Sequence, residues 1–419
     1  MTTFMSAKGI RQDLRGESLL DAGARFASQP GLFSRLIAPG FRKVLDRVDA
    51  GLERGSLLGH LPDGTTRLLG GRAPGFDVEV QLKDWRALLR LATGGSIGWF
   101  QAWDAGEWQT NDLAGLFALF SDNVRTLGDT ARPSGPLKWA ARWAHRLNRN
   151  NRTGSARNIS AHYDLGNDFY RTWLDQSMTY SSALEVGEDS LEAAQHRKME
   201  GLSSRLGKPE TVLEIGCGWG SLAQHLTESG AHVTAISLSD EQLAWARAHS
   251  KGDIDFRKQD YRDVSGQFDA IASCEMVEAL GREYWPTFMD CIARNLRPGG
   301  RAAIQYISMA DDIFEAYAGT VDFIQAYVFP GGLLIKSSEF RALAEERGLA
   351  WQDEKNFGQD YAKTLRTWHD RFDEAVEEAR LPEGFDARFI RLWKYYLAYC
   401  EGGFQAGNID VHQVTLVKQ

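Results

Sequence analysis

The nine residues Val212-Leu213-Glu214-Ile215-Gly216-Cys217-Gly218-Trp219-Gly220 constrain this chain more than any other stretch. An apolar run reaches three glycines at alternate positions, and residues 221–229 then follow a helical spacing. A strand that turns through glycines into a helix opens a βαβ unit. The alternation continues downstream. Strands are expected at Thr211–Ile215, His232–Ser237, 253–257, Phe268–Cys274 and 301–306, with helices at 221–229, 241–250 and 284–296. Such a chain folds into a parallel sheet with helices packed on its faces, and a ligand binds at the strands' carboxyl ends. Helical patterns follow at 313–328, 337–347, 364–380 and 385–404, and a last strand at 411–417.

The spacing of the turn separates two cofactor classes. A dinucleotide fold uses G-x-G-x-x-G to cradle a pyrophosphate. Here the pattern is acid-x-G-x-G-x-G, with Glu214 two residues before Gly216. That is the signature of Rossmann-like S-adenosylmethionine methyltransferases. A sulfonium cofactor brings no pyrophosphate, and an acid beside its cationic ends is electrostatically sensible. A purely structural glycine turn is the alternative.

Before this unit lies a region of a different kind. Residues 32–38 and 41–48 have helical spacing with a break at Pro39-Gly40, and 55–82 alternates as short strands. Residues 84–93 and 110–123 return to helix, the second starting from Asn111 as N-cap. No catalytic constellation stands out here, and 1–130 reads as a small α+β module. Between the two units, Arg132, Lys138, Arg142, Arg146, Arg149, Arg152 and Arg157 occur without one Asp or Glu from Ala131 to Tyr163. The chain's net charge is −8, so everything outside this segment carries −15. Trp139 and Trp143 lie one helical turn apart beside Arg142 and Arg146, as on a basic amphipathic helix. The segment is either a solvated linker or a patch for anionic lipid headgroups, with nucleic acid a lesser alternative. An overall acidic balance disfavours general nucleic-acid binding.

Four cysteines form no C-x-x-C pair and no metal-ligand spacing, which predicts neither a disulfide framework nor a metal site and suits a reducing cytoplasm. No signal peptide is evident, and nowhere do 18 apolar residues run together. Any membrane role is therefore expected to be peripheral, at the inner face.

The flanking motifs are more specific than the glycine turn. Upstream stand Ala161-His162-Tyr163-Asp164-Leu165-Gly166-Asn167-Asp168-Phe169-Tyr170 and Met178-Thr179-Tyr180-Ser181-Ser182. Downstream stand Ser237-Leu238-Ser239-Asp240-Glu241-Gln242, Gln259-Asp260-Tyr261-Arg262-Asp263 and Val277-Glu278-Ala279-Leu280-Gly281. Phe329-Pro330-Gly331-Gly332 and Asn356-Phe357-Gly358-Gln359-Asp360-Tyr361 complete the series. In this order they resemble the cyclopropane-fatty-acid synthase family, including its mycolic acid cyclopropane synthases, from about Asn158 to Gln419. The resemblance implies an α/β, Rossmann-like class I methyltransferase sheet with helical lid insertions over 161–419. A basic hinge at 131–160 and a lipid-binding or accessory α+β domain at 1–130 precede it.

It further implies methyl transfer from S-adenosylmethionine to the double bond of an unsaturated phospholipid acyl chain. Cofactor contacts carry over to Tyr180, Ser181, Glu214, Gly216, Gly218, Ser237, Leu238, Gln242, Asp260 and Tyr261. Alone, Gln242 reads equally as a solvated helix residue and Tyr261 as a core aromatic. An alkene is a weak nucleophile, so the site must align it with the methyl donor away from water. Tyr163, Tyr361 and Glu278 are candidates to stabilise the carbocation that results. In the family the base is thought to be a bound bicarbonate, held by a Cys, a Glu-His pair, a strand-5 His and a late Tyr.

This chain keeps Glu278 and Tyr361 but has Ser182, Ala279 and Gln305 at the other positions. It also carries Glu275 where relatives usually have Gly. Glu275 reads either as a second carboxylate facing the site with Glu278 or as a surface or ion-paired residue. Cys400 matches a cysteine once proposed as catalytic in the family, and reads here as a buried packing thiol. The altered pocket favours a methyl-branched unsaturated product, of the kind that precedes a furan fatty acid, over a cyclopropane. A small-molecule methyltransferase and an inactive lipid-binding relative are the rivals. Chain length, headgroup and self-association into a homo-oligomer stay open.

Overall fold

The computed structural model describes residues 15–24, 38–128 and 165–419. Residues 32–37 of the helix predicted at 32–38, the basic hinge with its amphipathic segment, and Tyr163 lie outside the described residues.

The N-terminal unit begins with helices Glu17–Ala24 and Ala38–Gly51. Pro39-Gly40, expected to break a helix, instead sits in the first turn of the second. Proline is tolerated there because its missing N–H would have had no intrahelical partner. Strands β1 (Ser56–His60), β2 (Thr66–Gly70), β3 (Asp77–Leu82) and β4 (Trp108–Gln109) form a sheet in the order β2-β1-β3-β4. β3 alternates cleanly, with Val78, Val80 and Leu82 turned into the core. The helix predicted to end at 93 runs over Arg86–Asp104, passing Gly94-Gly95 by a kink at Gly95 (φ 57°). Helix Leu113–Asp122 follows, and its N-cap is Asp112 rather than Asn111. The Asp112 carboxylate accepts the Gly115 N–H at 2.8 Å.

The second unit is a seven-stranded sheet, order β10-β11-β9-β8-β5-β6-β7. Its strands are β5 (Thr211–Ile215), β6 (His232–Ser237), β7 (Ile254–Lys258), β8 (Phe268–Cys274), β9 (Leu296–Met309), β10 (Leu349–Asn356) and β11 (Ile409–Lys418). β5 to β9 are mutually parallel, while β11 pairs antiparallel with both β9 and β10. The chain leaves β5 toward β6 and β7, then returns to place β8 on its other side. That reversal between β5 and β8 opens a crevice at their carboxyl ends.

The predicted strands of the parallel part are present, β9 being longer than expected. β10 escaped the sequence reading because three of the eight residues in its LAWQDEKN are charged and its last five are exposed. The 313–328 pattern divides into helix Asp311–Ala318 and a π-helical turn, Ile324–Val328. Helix Leu191–Leu206 was also missed, since Gln195 and Lys198 interrupt the stripe that it buries.

The two units share one core. Phe100 packs on Phe323 (4.9 Å between centroids) and Phe117 on Tyr395 (4.9 Å). Helix Ala387–Gln405 comes so close to helix Leu113–Asp122 that a Cβ on Gly402 would lie 2.5 Å from the Ala114 carbonyl oxygen. Glycine is therefore obligatory at that crossing.

Candidate active site

The β5–β8 crevice is a cavity of about 220 Å³. All ten residues expected to hold the cofactor line it. Gly216, Gly218 and Gly220 adopt φ of 86°, 53° and 91°. A Cβ on Gly216 would strike Met276 at 2.6 Å, whereas one on Gly218 would meet only Gln242 Nε2, at 4.0 Å. Gly218 therefore faces open cavity, and its positive φ turns the backbone toward whatever fills it.

Glu214 is buried, and burial pushes its carboxyl up to about 8 against the opposing charge of Lys198. Its Oε2 has no hydrogen-bond partner. At the end of β6, the Ser237 hydroxyl donates to Gln242 Oε1 (3.2 Å), while Ser239 caps the helix Asp240–His249. Gln242 is only 3% exposed, which excludes a solvated helix position. Tyr261 is 6% exposed and its hydroxyl is unpartnered, with burial raising its pKa. Asp260 caps the turn carrying Tyr261 and pairs with Arg262 at 2.6 Å. Tyr180 shares a hydrogen bond with the Tyr396 hydroxyl (2.6 Å), and Ser181 Oγ accepts from Lys198 Nζ (2.6 Å). An unsatisfied acid, an open glycine cradle and an apolar aromatic wall fit the amino acid, sulfonium and nucleoside parts of S-adenosylmethionine.

Beyond this crevice lies a second, mainly apolar cavity of about 440 Å³, within the size range of ligand pockets. Tyr180, Glu275, Ala279, Phe329 and Gly332 line both spaces, so they meet at this point. The catalytic unit supplies Ile307, Leu365 and Tyr361 to the larger cavity. The N-terminal unit supplies Leu91, Trp99, Phe117, Phe120 and Leu127.

At the junction the predicted reacting residues converge on Glu275. Its Oε1 accepts the Ser182 backbone N–H (2.9 Å) and the Gln305 side-chain amide (2.8 Å). The Tyr361 hydroxyl interacts with the same carboxylate. Gln305 is itself oriented by Gln413, whose amide donates to Gln305 Oε1 at 3.0 Å. Glu275 is thus neither a surface residue nor an ion-paired one. Its backbone is left-handed, φ 47°, a conformation that favours glycine and is strained for a longer side chain. Such strain persists where the surroundings over-determine it, and here three groups hold the side chain.

Glu278 stands one short turn further on and faces the same cavity. Its Oε1 accepts the Ile307 N–H, and its Oε2 is buried without a partner. Burial and then the neighbouring Glu275 push its carboxyl up to about 8, and burial raises that of Glu275 too. Of the pair, Glu275 has more donors to stabilise a negative charge, so Glu278 is the better holder of a proton.

One expectation changes. The Ser182 hydroxyl does not face the site; it donates to the Ala183 carbonyl at 2.9 Å, and only the Ser182 N–H reaches Glu275. Cys400 lines the larger cavity, but burial raises its thiol pKa and keeps it protonated, against a nucleophilic role. Sequence reasoning missed Lys198, Tyr396 and Gln413. The signal for Lys198 was a lysine and a glutamine on an otherwise apolar helix face.

Residues 150–414 match the family model described as mycolic acid cyclopropane synthetase. The chain is 36% identical over 357 residues to tuberculostearic acid methyltransferase UfaA1 of Mycobacterium tuberculosis, covering 79% of this chain and 81% of that one. It is 33% identical over 359 residues to the cyclopropane-fatty-acyl-phospholipid synthase of Escherichia coli K12, covering 83% and 89%. Among solved structures, mycolic acid cyclopropane synthase CmaA1 complexed with SAH and CTAB superposes with a TM-score of 0.59 at 26% identity. The match covers 63% of this chain and 98% of CmaA1.

Proposed function

Because the chain belongs to the mycolic acid cyclopropane synthetase family and is an S-adenosylmethionine-dependent methyltransferase acting on fatty acyl lipids, we propose that it methylates the double bond of an unsaturated phospholipid acyl chain and leaves that chain methyl-branched and unsaturated. The observation that carries the reading is the Glu275 carboxylate, seated among Ser182 N–H, the Gln305 amide and Tyr361 at the junction of the two cavities. The ten residues of the crevice would hold the cofactor, and the larger cavity the acyl chain.

When bound, S-adenosylmethionine supplies an electrophilic methyl group, whose addition to an alkene leaves a carbocation on the acyl chain. The apolar walls hold the chain away from water, so the cation is not quenched as an alcohol. The Tyr180 and Tyr361 rings and the Glu275 charge can stabilise it at the junction. Glu275 then takes a proton from a chain carbon beside the cation, and the C–H electrons restore a double bond. Glu278, protonated near neutral pH, spares the site a second negative charge.

Bicarbonate has no evident place in this reading. The donors that would hold a small anion already hold Glu275, and an anion beside that carboxylate would be repelled. One relative named as a methyltransferase rather than a cyclopropane synthase supports methyl transfer without ring closure. Proton NMR of lipid from cells making the protein tests it. Olefinic signals with a new methyl branch are expected, and upfield cyclopropane ring protons as the main product would return the enzyme to ring closure. Cofactor binding without turnover on lipid vesicles would instead favour an inactive lipid-binding relative.

Among the described residues no helix is long and apolar enough to cross a membrane. The seven basic residues between Arg132 and Arg157 are proposed to hold the protein against an anionic lipid surface from which the acyl chain is drawn.

A further inference from the structure

Lys198 is an ammonium in an unusual place. It projects from helix Leu191–Leu206, is 2% exposed, and lines the cofactor crevice. Its Nζ donates to Ser181 Oγ (2.6 Å) and Cys274 Sγ (3.7 Å), both neutral. The Cys274 thiol is pushed up to about 11 by burial, so it offers no thiolate. Glu214 and Glu275 feel the Lys198 charge, yet neither forms an ion pair or a hydrogen bond with it. An ammonium has three N–H donors, and the two acceptors here carry no charge. Burying such a cation without a counter-ion is costly.

In the same crevice, Glu214 has the complementary defect. Its Oε2 is buried and has no donor. A buried cation with no anion in contact and a buried acid with one oxygen lacking a donor line one cavity. Together they match a zwitterion. The α-amino acid end of S-adenosylmethionine is one, with a carboxylate and an ammonium on the same carbon.

We propose that Lys198 takes the carboxylate at this end of the cofactor, beside the ammonium that Glu214 is already placed to accept. The inference rests on the crevice holding S-adenosylmethionine. It makes Lys198 a binding residue that orients the sulfonium toward the junction with the acyl cavity through the anchored amino acid. Ser181, already bonded to Lys198, sits beside the same end.

Calorimetry without lipid tests it, using S-adenosylmethionine and its decarboxylated analogue, which lacks only the carboxylate. The parent protein should bind the analogue at least about tenfold more weakly, the range of a charge-assisted hydrogen bond. Lys198→Met, similar in length but uncharged, should lose about that factor for S-adenosylmethionine while its affinity for the analogue changes little. Lys198→Arg should keep much of the discrimination. Equal affinity of the parent for both ligands would overturn this role without any variant, and so holds even where Lys198→Met does not fold. Equal weakening of both ligands by Lys198→Met would reduce Lys198 to a prop for Ser181. A parent that binds neither ligand would remove the crevice itself from the cofactor.

Discussion

Replacing Glu275 by glycine isolates what its carboxylate does, because the backbone there already suits glycine. At φ 47° a non-glycine residue is disfavoured by roughly 1–2 kcal/mol, which Glu275→Gly recovers. Against this, the Ser182 N–H, the Gln305 amide and the Tyr361 hydroxyl lose their acceptor, at about 1–3 kcal/mol for each buried donor left unsatisfied. The loss outweighs the gain except where water or a small anion takes the vacated space, so the variant should be less stable than the parent, and its folding is checked by urea midpoint before activity is read. Cofactor affinity should hold, since the ten crevice residues are untouched. Turnover should fall by about 10²–10⁴, the usual contribution of a positioned base. The substitution also leaves three groups around an empty, anion-sized space. Formate, acetate or bicarbonate should then restore part of the rate, and bicarbonate should move the product toward the cyclopropane. Radiolabelled methyl incorporation into unsaturated phospholipid vesicles measures the rate, and proton NMR the product. A loss below about tenfold, or a parallel loss of cofactor affinity in calorimetry, would refute Glu275 as the base.

Other outcomes follow from the same geometry. Gly218→Val should abolish measurable S-adenosylmethionine binding in a folded variant, because it puts a branched side chain at φ 53° into the open crevice; retained affinity in calorimetry would remove the glycine turn from the site. Glu278, with a carboxyl near 8 when folded and 4.5 as its ordinary value, holds a proton that the unfolded chain has released, so stability from this group is fully present below about 4.5 and falls as pH rises toward 8. Glu278→Gln should flatten that decline in urea midpoints taken across the window, and an unchanged slope would contradict the assignment. Exchanging Arg142, Arg146 and Arg149 for Ala should weaken binding to anionic vesicles by about 1 kcal/mol per residue at low salt, less as salt rises, with equal binding of the parent to neutral vesicles speaking against it. Trp99→Ala should enlarge the acyl cavity and admit longer chains in a mixed-lipid competition, whereas an unaltered chain-length profile would mean that the N-terminal wall does not touch substrate.

Much of the catalytic unit was legible because its chemistry sits in backbone-determined places. Gly216 and Gly218 announce a turn, and the ends of β6 and β8 follow from strand alternation. The spacing of Glu275 and Glu278 allowed them to share a site but left a surface or ion-paired Glu275 equally open. What was hidden depended on contacts distant in sequence. The Ser182 hydroxyl turns away because its neighbour's carbonyl captures it, and no pattern in residues 180–183 reveals that. Gln413 supports Gln305 from a strand more than a hundred residues downstream. Lys198 broke an amphipathic stripe, and that interruption concealed both the helix and the residue. The N-terminal unit carried no motif because its part is a wall of Leu, Trp and Phe, which reads like any core.

That wall has a thermodynamic consequence. Helix Ala387–Gln405 places Tyr396 and Cys400 on the acyl cavity while its Gly402 rests against the N-terminal helix Leu113–Asp122. A lipid tail held there, as proposed, would touch both units at once. By mass action, an occupant at a hundred times its dissociation constant adds about 2.7 kcal/mol to the joined state and nothing to the parted one. The substrate is thus a mortar between the two halves, and the enzyme should be most cohesive when it is loaded and loosest just after its product has left.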